Sequence, residues 1–476
     1  MPKPVNVLFL IAEADPFVKV GGLGDVGAAL PRALMKLPPD MTGEEIALDV
    51  RLVLPHHAVI KADARPVAIF SLPRAGGDVD VQVSETTLDG LTVYLIDGPP
   101  IKASGTVYSS NPALDAEKYA FFSLAALELP RHINWQPNVV HANDWHTALA
   151  VYALMLKRWK GESSAASVLT LHNLPFMGPD AAAILESYGL EIAQSDLPDW
   201  ARAMPLPLGL YAADKIVPVS PTYAKEVLTP EFGCGLQDFL HRRREVLHGI
   251  LNGIDAASYN PATDTNIPFQ YTLENPMIRE KNKVALQEKL GLPTDPGSPL
   301  LGVVSRMDPQ KGVDLIPPLL RRITDIPWQV VILGAGDAKL EEAARSLQAD
   351  LPDRVRAETR FDPALARMIY AGADIFLMPS RYEPCGLSQM VAMRYGCVPV
   401  VRAAGGLVDT VTEKTGFLFK KASPVSFRSG LLKALAAYSD RARWLDLQKA
   451  GMSKDFSWNR SAVQYFDLYL SLLEKG

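Results

Sequence analysis

Arg306 and Lys311 flank one short loop, "SRMDPQKG", that follows an apolar run suited to a strand. Two fixed cations at a strand end suit a diphosphate, whose developing negative charge they stabilise as it departs. The other use of such a pair is a surface loop laced with salt bridges. Further on, "SRYEPCGLSQM" joins a strand end to a helix expected to begin near Cys385 or Gly386, with Glu383 just before it. The exposed N–H groups of a helix start hold anionic oxygens. An acid beside them either binds sugar hydroxyls or caps the helix.

The first half offers a second anion site. "KVGGLGDVG", Lys19 to Gly27, contains a literal match to the dinucleotide pattern G-x-G-x-x-G. A strand is expected before it, at Val5 to Ile11, but "AEADPFVKV" intervenes, too long a loop for the tight turn that lays a pyrophosphate on a helix N-terminus. Asp49 opens the following strand, whereas a ribose-binding acid would close it, so a nicotinamide site is excluded. What remains is a glycine-tipped loop with a lysine, where ligand can approach the backbone and exposed N–H groups favour an anion. Its plain alternative is a solvent loop that needs positive φ angles. The helix is expected to start at Asp25 as N-cap, with Pro31 costing a hydrogen bond near Gly27.

His141, Asp144, His146 and His172 follow two further strand-like runs in "VVHANDWH" and "TLHN". No H-E-x-x-H or cysteine spacing makes them a zinc site. Asp78-Val79-Asp80 matches an acidic pair that some sugar transferases use for a metal, but its alternating surroundings read as an exposed strand. Neither a G-x-S-x-G elbow nor a phosphate loop of the G-x-x-x-x-G-K-[ST] type is present.

The elements that must position these residues alternate between apolar runs and helical patterns. In the first half the runs are "VRLVLP", "LTVYLID", "PNVVHAND", "SVLTLHN" and "DKIVPVS", with a hairpin expected over Ser71 to Thr92. The second half restarts with "PLLGVVSR", "WQVVILGAG", "RVRAETRF", "ADIFLMPS" and "CVPVVRAAGG". This is the grammar of two doubly wound α/β domains, and 476 residues exceed one hydrophobic core. Such sheets bind ligands at the carboxyl ends of their strands. "LNGIDAASYNPATDTNIP" reads as the boundary, and "WNRSAVQYFDLYLSLLEKG" as a terminal amphipathic helix. A net charge of −5 gives no footprint for nucleic acid, and "HRRRE" at 241–245 reads as a solvated helix face. Three cysteines without framework spacing, no signal peptide and no membrane span point to the cytoplasm.

Taken together, the motifs resemble those of the bacterial glycogen synthases and plant starch synthases, retaining glycosyltransferases of the GT-B fold. The likeness is carried nearly end to end by "KVGGLGDVGAALPRAL", "VVHANDWHTAL", "LTLHNLPFMG", "VSPTYAKEV", "LNGIDAASYNPATD", "VSRMDPQKGVDL", "LGAGD", "PSRYEPCGLSQMVAMRYGCVPVVRAAGGLVDTV", "TGFLF" and "DFSW". It implies two Rossmann-like domains facing across a deep cleft: residues 1–247, joined by a terminal helix over 457–476, and a donor domain over 248–456.

The resemblance also implies roles. Lys19, Gly21 and Gly22 form the loop over the donor phosphates, with Asp25 at the helix start. Arg306 and Lys311 neutralise the leaving nucleoside diphosphate. Glu383 holds the transferred glucose, while Cys385, Gly386 and Leu387 present N–H groups to it. Asp144, His172 and Asn252 line the sugar and acceptor side, and Phe361 stacks near the base. Tyr108, Trp145, Asn173, Gly334 and Ser388 complete the substrate-binding set. Catalysis is assigned to Lys19, His172, Arg306, Lys311 and Glu383.

The implied reaction moves glucose from ADP-glucose to the 4-hydroxyl at a non-reducing α-1,4-glucan end, by front-face attack steadied by the His172 carbonyl. No metal or other cofactor takes part. The partners are ADP-glucose and the glucan, with no nucleic acid or membrane, and the oligomeric state is left open. ADP is chosen over UDP on the resemblance alone. Pro207 stands where the family has a lysine, Phe361 where it has a tyrosine, and Val391 at the second glutamate of the wider E-x7-E pattern. The alternatives are a related transferase with a small acceptor and a silent glucan-binding homologue.

Overall fold

A computed structural model describes residues 4–42 and 46–474. The chain divides into two compact units, Met1–Gly253 with Trp458–Gly476, and Ile254–Ser457. The division falls inside the Asn- and Pro-rich segment, a few residues beyond the expected 247/248.

The first unit holds an eight-stranded sheet ordered β3-β4-β5-β2-β1-β6-β7-β8. Its strands are β1 (Val5–Leu10), β2 (Leu48–Pro55), β3 (Arg65–Leu72), β4 (Val79–Leu88), β5 (Leu91–Asp97), β6 (Val139–Asn143), β7 (Ala166–Leu171) and β8 (Lys215–Pro218). Near-continuous apolar runs make β1, β6 and β7 central and parallel, buried on both faces. The expected hairpin is the antiparallel pair β3 and β4, and β4 turns back again into antiparallel β5. Asp80, on β4, accepts a hydrogen bond from the Ser71 hydroxyl at 2.9 Å.

The second unit holds a six-stranded sheet ordered β11-β10-β9-β12-β13-β14, with every pair parallel. Here β9 is Leu300–Val304, β10 Gln329–Leu333, β11 Val355–Glu358, β12 Ile375–Met378, β13 Val398–Arg402 and β14 Phe417–Phe419. The short β14 lies within "TGFLF" and lacks an apolar run long enough to mark it as a strand.

Helix boundaries moved at three places. The helix after the Lys19 loop spans Gly22–Met35 with Gly21 as N-cap, so Asp25 lies in its first turn. Asp25 is paired with Lys19 Nζ at 2.5 Å, which takes its carboxylate away from capping. Pro31 has no N–H for the Gly27 carbonyl, yet the helix continues as one piece. The helix after Glu383 begins at Ser388, later than expected, because Gly386 has a left-handed φ of 71° and breaks the turn before it. In "HRRRE", a helix ends at Arg242, and Arg243 turns inward to the carbonyls of Tyr211 and Ala213.

The terminal helix spans Trp458–Leu473, and Lys475 and Gly476 of the expected range lie outside the described residues. It packs Trp458, Ala462, Tyr465, Phe466, Leu468 and Tyr469 into the core formed by β1, β2 and the helix Gly22–Met35. Each large side chain contributes about 1.5–3 kcal/mol of burial.

Candidate active site

Both sheets reverse their strand order at one point, β1/β6 in the first unit and β9/β12 in the second. Loops leaving the carboxyl ends of two such strands diverge and leave a crevice for ligand.

In the second unit the β9 loop brings Arg306 and Lys311, and the β12 loop brings Glu383. Lys311 Nζ lies 2.9 and 2.8 Å from the two carboxylate oxygens of Glu383, whose side chain is only 6% exposed. The Ser380 hydroxyl donates to the same carboxylate at 2.9 Å. The helix Ser388–Arg394 has no side-chain cap, so Glu383 is not its cap. Arg306 is 59% exposed and reaches Asp308 at 3.4 Å, leaving it free to turn toward solvent.

Glycines bring these loops close together. A side chain at Gly334 would place its Cβ 1.9 Å from the Ser305 carbonyl oxygen, so the β10 loop lies directly on the β9 loop. Gly405 and Gly406, after β13, press on the carbonyls of Glu383 and Cys385 at 2.0 and 2.2 Å by the same measure. Gln389, fully buried, donates to the carbonyls of Cys385 at 3.3 Å and Gly386 at 2.8 Å and fixes the turn before Leu387 and Ser388. Phe361 follows β11 and is 85% exposed, an aromatic face with nothing of its own unit over it.

In the first unit the β6 loop supplies Asp144 and Trp145, and the β7 loop His172 and Asn173. Asp144 has φ 55° and ψ −171°, a conformation rare outside glycine and held here by its surroundings. Its carboxylate accepts the N–H groups of His172 at 2.7 Å and Asn173 at 3.3 Å. Burial pushes Asp144 up to about 7 against these bonds. Asn143 donates to the Leu10 carbonyl at 3.0 Å, so its Oδ1 faces His172 Nε2, also at 3.0 Å. That oxygen must accept, which places the proton on Nε2. Burial lowers His172 to about 3, so the ring stays neutral and cannot carry protons near pH 7. Its usable group is the backbone.

The other two candidate histidines, His141 and His146, are buried. His141 bridges Tyr469 at 2.6 Å and Thr170 at 2.7 Å inside the core. His146 is buried against Tyr119 and Trp145. Among the described residues, no three His, Cys, Asp or Glu side chains are grouped to hold a metal ion.

The Lys19 loop departs from expectation. The N–H groups of Val20 and Gly21 are not open to an anion; both donate to Oε2 of Glu13, and Tyr108 donates to Oε1 of the same carboxylate. In the first helical turn the Gly24 N–H donates to the Gly21 carbonyl at 3.2 Å, which leaves Gly22 and Leu23 as the turn's leading N–H groups beside Lys19. Lys19 Nζ is held by Asp25 at 2.5 Å and Asp15 at 3.5 Å. Asn173 and Asn252 each carry a buried carboxamide oxygen with no donor among the described residues, acceptors of the kind a sugar hydroxyl satisfies.

Comparison with known proteins gives one consistent answer. The family model described as the starch synthase catalytic domain matches residues 6–242, and that for glycosyl transferases group 1 matches residues 286–447. The chain is 38% identical to the glycogen synthase of Geotalea daltonii, over 99% of this chain and 100% of that one. It is 40% identical to the glycogen synthase of Thermotoga maritima, with 99% of each chain covered. The chain belongs to the glycogen synthase family.

Among solved structures, the catalytic domain of Arabidopsis thaliana starch synthase IV matches with a TM-score of 0.89 at 34% identity, covering 99% of this chain and all of that one. A sucrose-phosphate synthase from Thermosynechococcus elongatus, at 17% identity and a TM-score of 0.63, shares the fold. The two doubly wound units are thus those of a GT-B glycosyltransferase of the glycogen synthase type.

For this glycogen synthase family member, Pro207 falls in the first turn of the helix Pro205–Ala212, where a missing N–H costs nothing. Sequence reasoning places Ser380 at a strand end without a role, and missed Glu13, Asn143, Gln389, Gly405 and Gly406. Only the glycine pair carried a signal, as small residues directly after a strand.

Proposed function

We propose that the chain transfers glucose from ADP-glucose to the non-reducing end of an α-1,4-glucan, with retention of configuration. The observation that carries the reading is the Lys311–Glu383 pair at the β9/β12 reversal. It joins a fixed cation for a departing diphosphate to a buried acid able to hold sugar hydroxyls. The Arabidopsis relative was solved bound to ADP and acarbose, which favours ADP as the nucleotide here.

In this reading Arg306 and Lys311 take up the charge that grows on the diphosphate as the glycosyl bond breaks. Lys19 and the first turn from Gly22 are read as further donor-phosphate contacts. Glu383 and the N–H groups from Cys385 to Leu387 hold the glucose, and Phe361 stacks on the base. The His172 carbonyl, locked by Asp144, steadies the oxocarbenium-like centre. The phosphate oxygen takes the acceptor proton, since His172 stays neutral. Trp145, Asn173 and Asn252 receive the acceptor sugars.

Two protein cations supply the charge that a metal supplies elsewhere, so the proposal includes no metal or cofactor. A cytoplasmic setting is also part of it, supported by three cysteines that form no disulfide and by the absence, among the described residues, of a helix long and apolar enough to cross a membrane.

The test is nucleoside diphosphate release from ADP-glucose and UDP-glucose in parallel, with and without glycogen. Glycogen-dependent ADP release is expected. Release only with UDP-glucose contradicts the donor, and release only with a small acceptor contradicts the glucan. Glycogen binding without release from either donor contradicts catalysis.

A further inference from the structure

Glu13 is a buried acid with hydrogen bonds to both carboxylate oxygens, and it has no part in the roles described so far. It lies just past β1, is 1% exposed, and sits between Ala12 and Ala14, both fully buried. Its carboxylate takes three donors: the N–H groups of Val20 and Gly21 on one oxygen and the Tyr108 hydroxyl on the other. The backbone is fixed as well. A Cβ on Gly27 would lie 2.0 Å from the Glu13 carbonyl oxygen, so the helix Gly22–Met35 packs directly on it. Two residues along, the Asp15 N–H donates to the Gly24 carbonyl at 3.0 Å.

We propose that Glu13 is a positioning residue for donor binding: one buried carboxylate that sets the backbone entering the helix at Gly22 and the phenol of Tyr108 together. This rests on the reading of the Lys19 loop as a phosphate-facing loop.

Three physical arguments support the assignment. A buried carboxylate is retained only when its oxygens are satisfied, and here the partners come from two segments distant in sequence. Anchoring Val20 and Gly21 inward leaves Lys19 on one side and the first-turn N–H groups on the other, so the anion-binding part of the loop begins at a defined residue. Neither oxygen of Glu13 is left to act as a base. Its effect on the reaction therefore passes through the loop and Tyr108. A Gln at this position keeps the pattern, because the amide oxygen accepts the two N–H groups and the amide nitrogen donates to the phenol oxygen.

The experiment compares Glu13→Ala and Glu13→Gln in the full-length chain, reading backbone hydrogen exchange over residues 17–24 and steady-state kinetics with ADP-glucose and glycogen. For Glu13→Ala, exchange at Val20 and Gly21 should speed up at least about tenfold, and KM for ADP-glucose should rise about tenfold while KM for glycogen stays within about twofold. Glu13→Gln should restore both readouts to within about threefold of the parent. Unchanged exchange in Glu13→Ala overturns the latch, and faster exchange with an unchanged donor KM overturns its role in binding. If Glu13→Ala does not fold, Glu13→Asp, which withdraws the carboxylate by one methylene, is read by the same two outcomes. A parent enzyme that turns over no sugar nucleotide would reject the functional reading instead, and exchange alone would still decide the latch.

Discussion

Lys311 Nζ sits within 2.9 Å of both carboxylate oxygens of Glu383, and the Ser380 hydroxyl donates to that carboxylate as well. One acid thus holds the cation assigned to the diphosphate, so the charge that binds donor and the group that binds glucose are fixed by a single contact. Glu383→Gln keeps the shape and removes the charge. It should lower kcat by about a hundredfold or more and shift Tm by only a few degrees. Loss of folding with full turnover in the folded fraction would make Glu383 structural.

Lys311→Ala removes the cation and leaves Glu383 buried without it. KM for ADP-glucose and kcat should both suffer, while glycogen affinity, read by affinity electrophoresis, should change less than about twofold. Equal weakening of donor and glucan binding would contradict the phosphate assignment.

Acid should unfold this protein early. Burial holds His57 at about 4 and His141 and His172 at about 3, whereas the unfolded chain protonates them near 6.5. Between those values the unfolded state binds more protons, so stability is lost as pH falls below about 6.5. Asp144 works in the opposite sense. It is held at about 7 in the fold against 3.8 outside it, so its contribution is lost as pH rises through that window. Melting curves from pH 8 to pH 4 should show Tm falling on the acid side. In Asp144→Asn, Tm should gain on the parent as pH rises from 5 to 8, and a constant offset would refute the assignment.

Chelation is the simplest check on charge neutralisation by protein cations. Initial rates with ADP-glucose and glycogen should be unchanged by EDTA after exhaustive dialysis. A loss that magnesium or manganese restores would require a metal at the diphosphate.

Much of this was legible from residue order. The strands β1, β6, β7, β9, β10, β12 and β13 stand out as apolar runs, and the polar residues after β6, β9 and β12 lie at the two sheet reversals. Contacts made across the fold were not. Glu13 is a single acid in an apolar stretch, and its value comes from Val20, Gly21 and Tyr108, which only the folded chain brings to it. The helix start at Gly22 was misplaced for a similar reason: Asp25 has the composition of a cap, but Lys19 claims its carboxylate. Gln389 and Asn143 look like ordinary polar residues until their carbonyl partners are in place.

The most direct test of the central claim is the product itself. Maltoheptaose incubated with ADP-[13C]glucose should gain labelled units at its non-reducing end, with the anomeric coupling of an α-1,4 bond by NMR and complete release by β-amylase. A β-configured product, a linkage that β-amylase does not release, or an unextended chain beside hydrolysed ADP-glucose would contradict it.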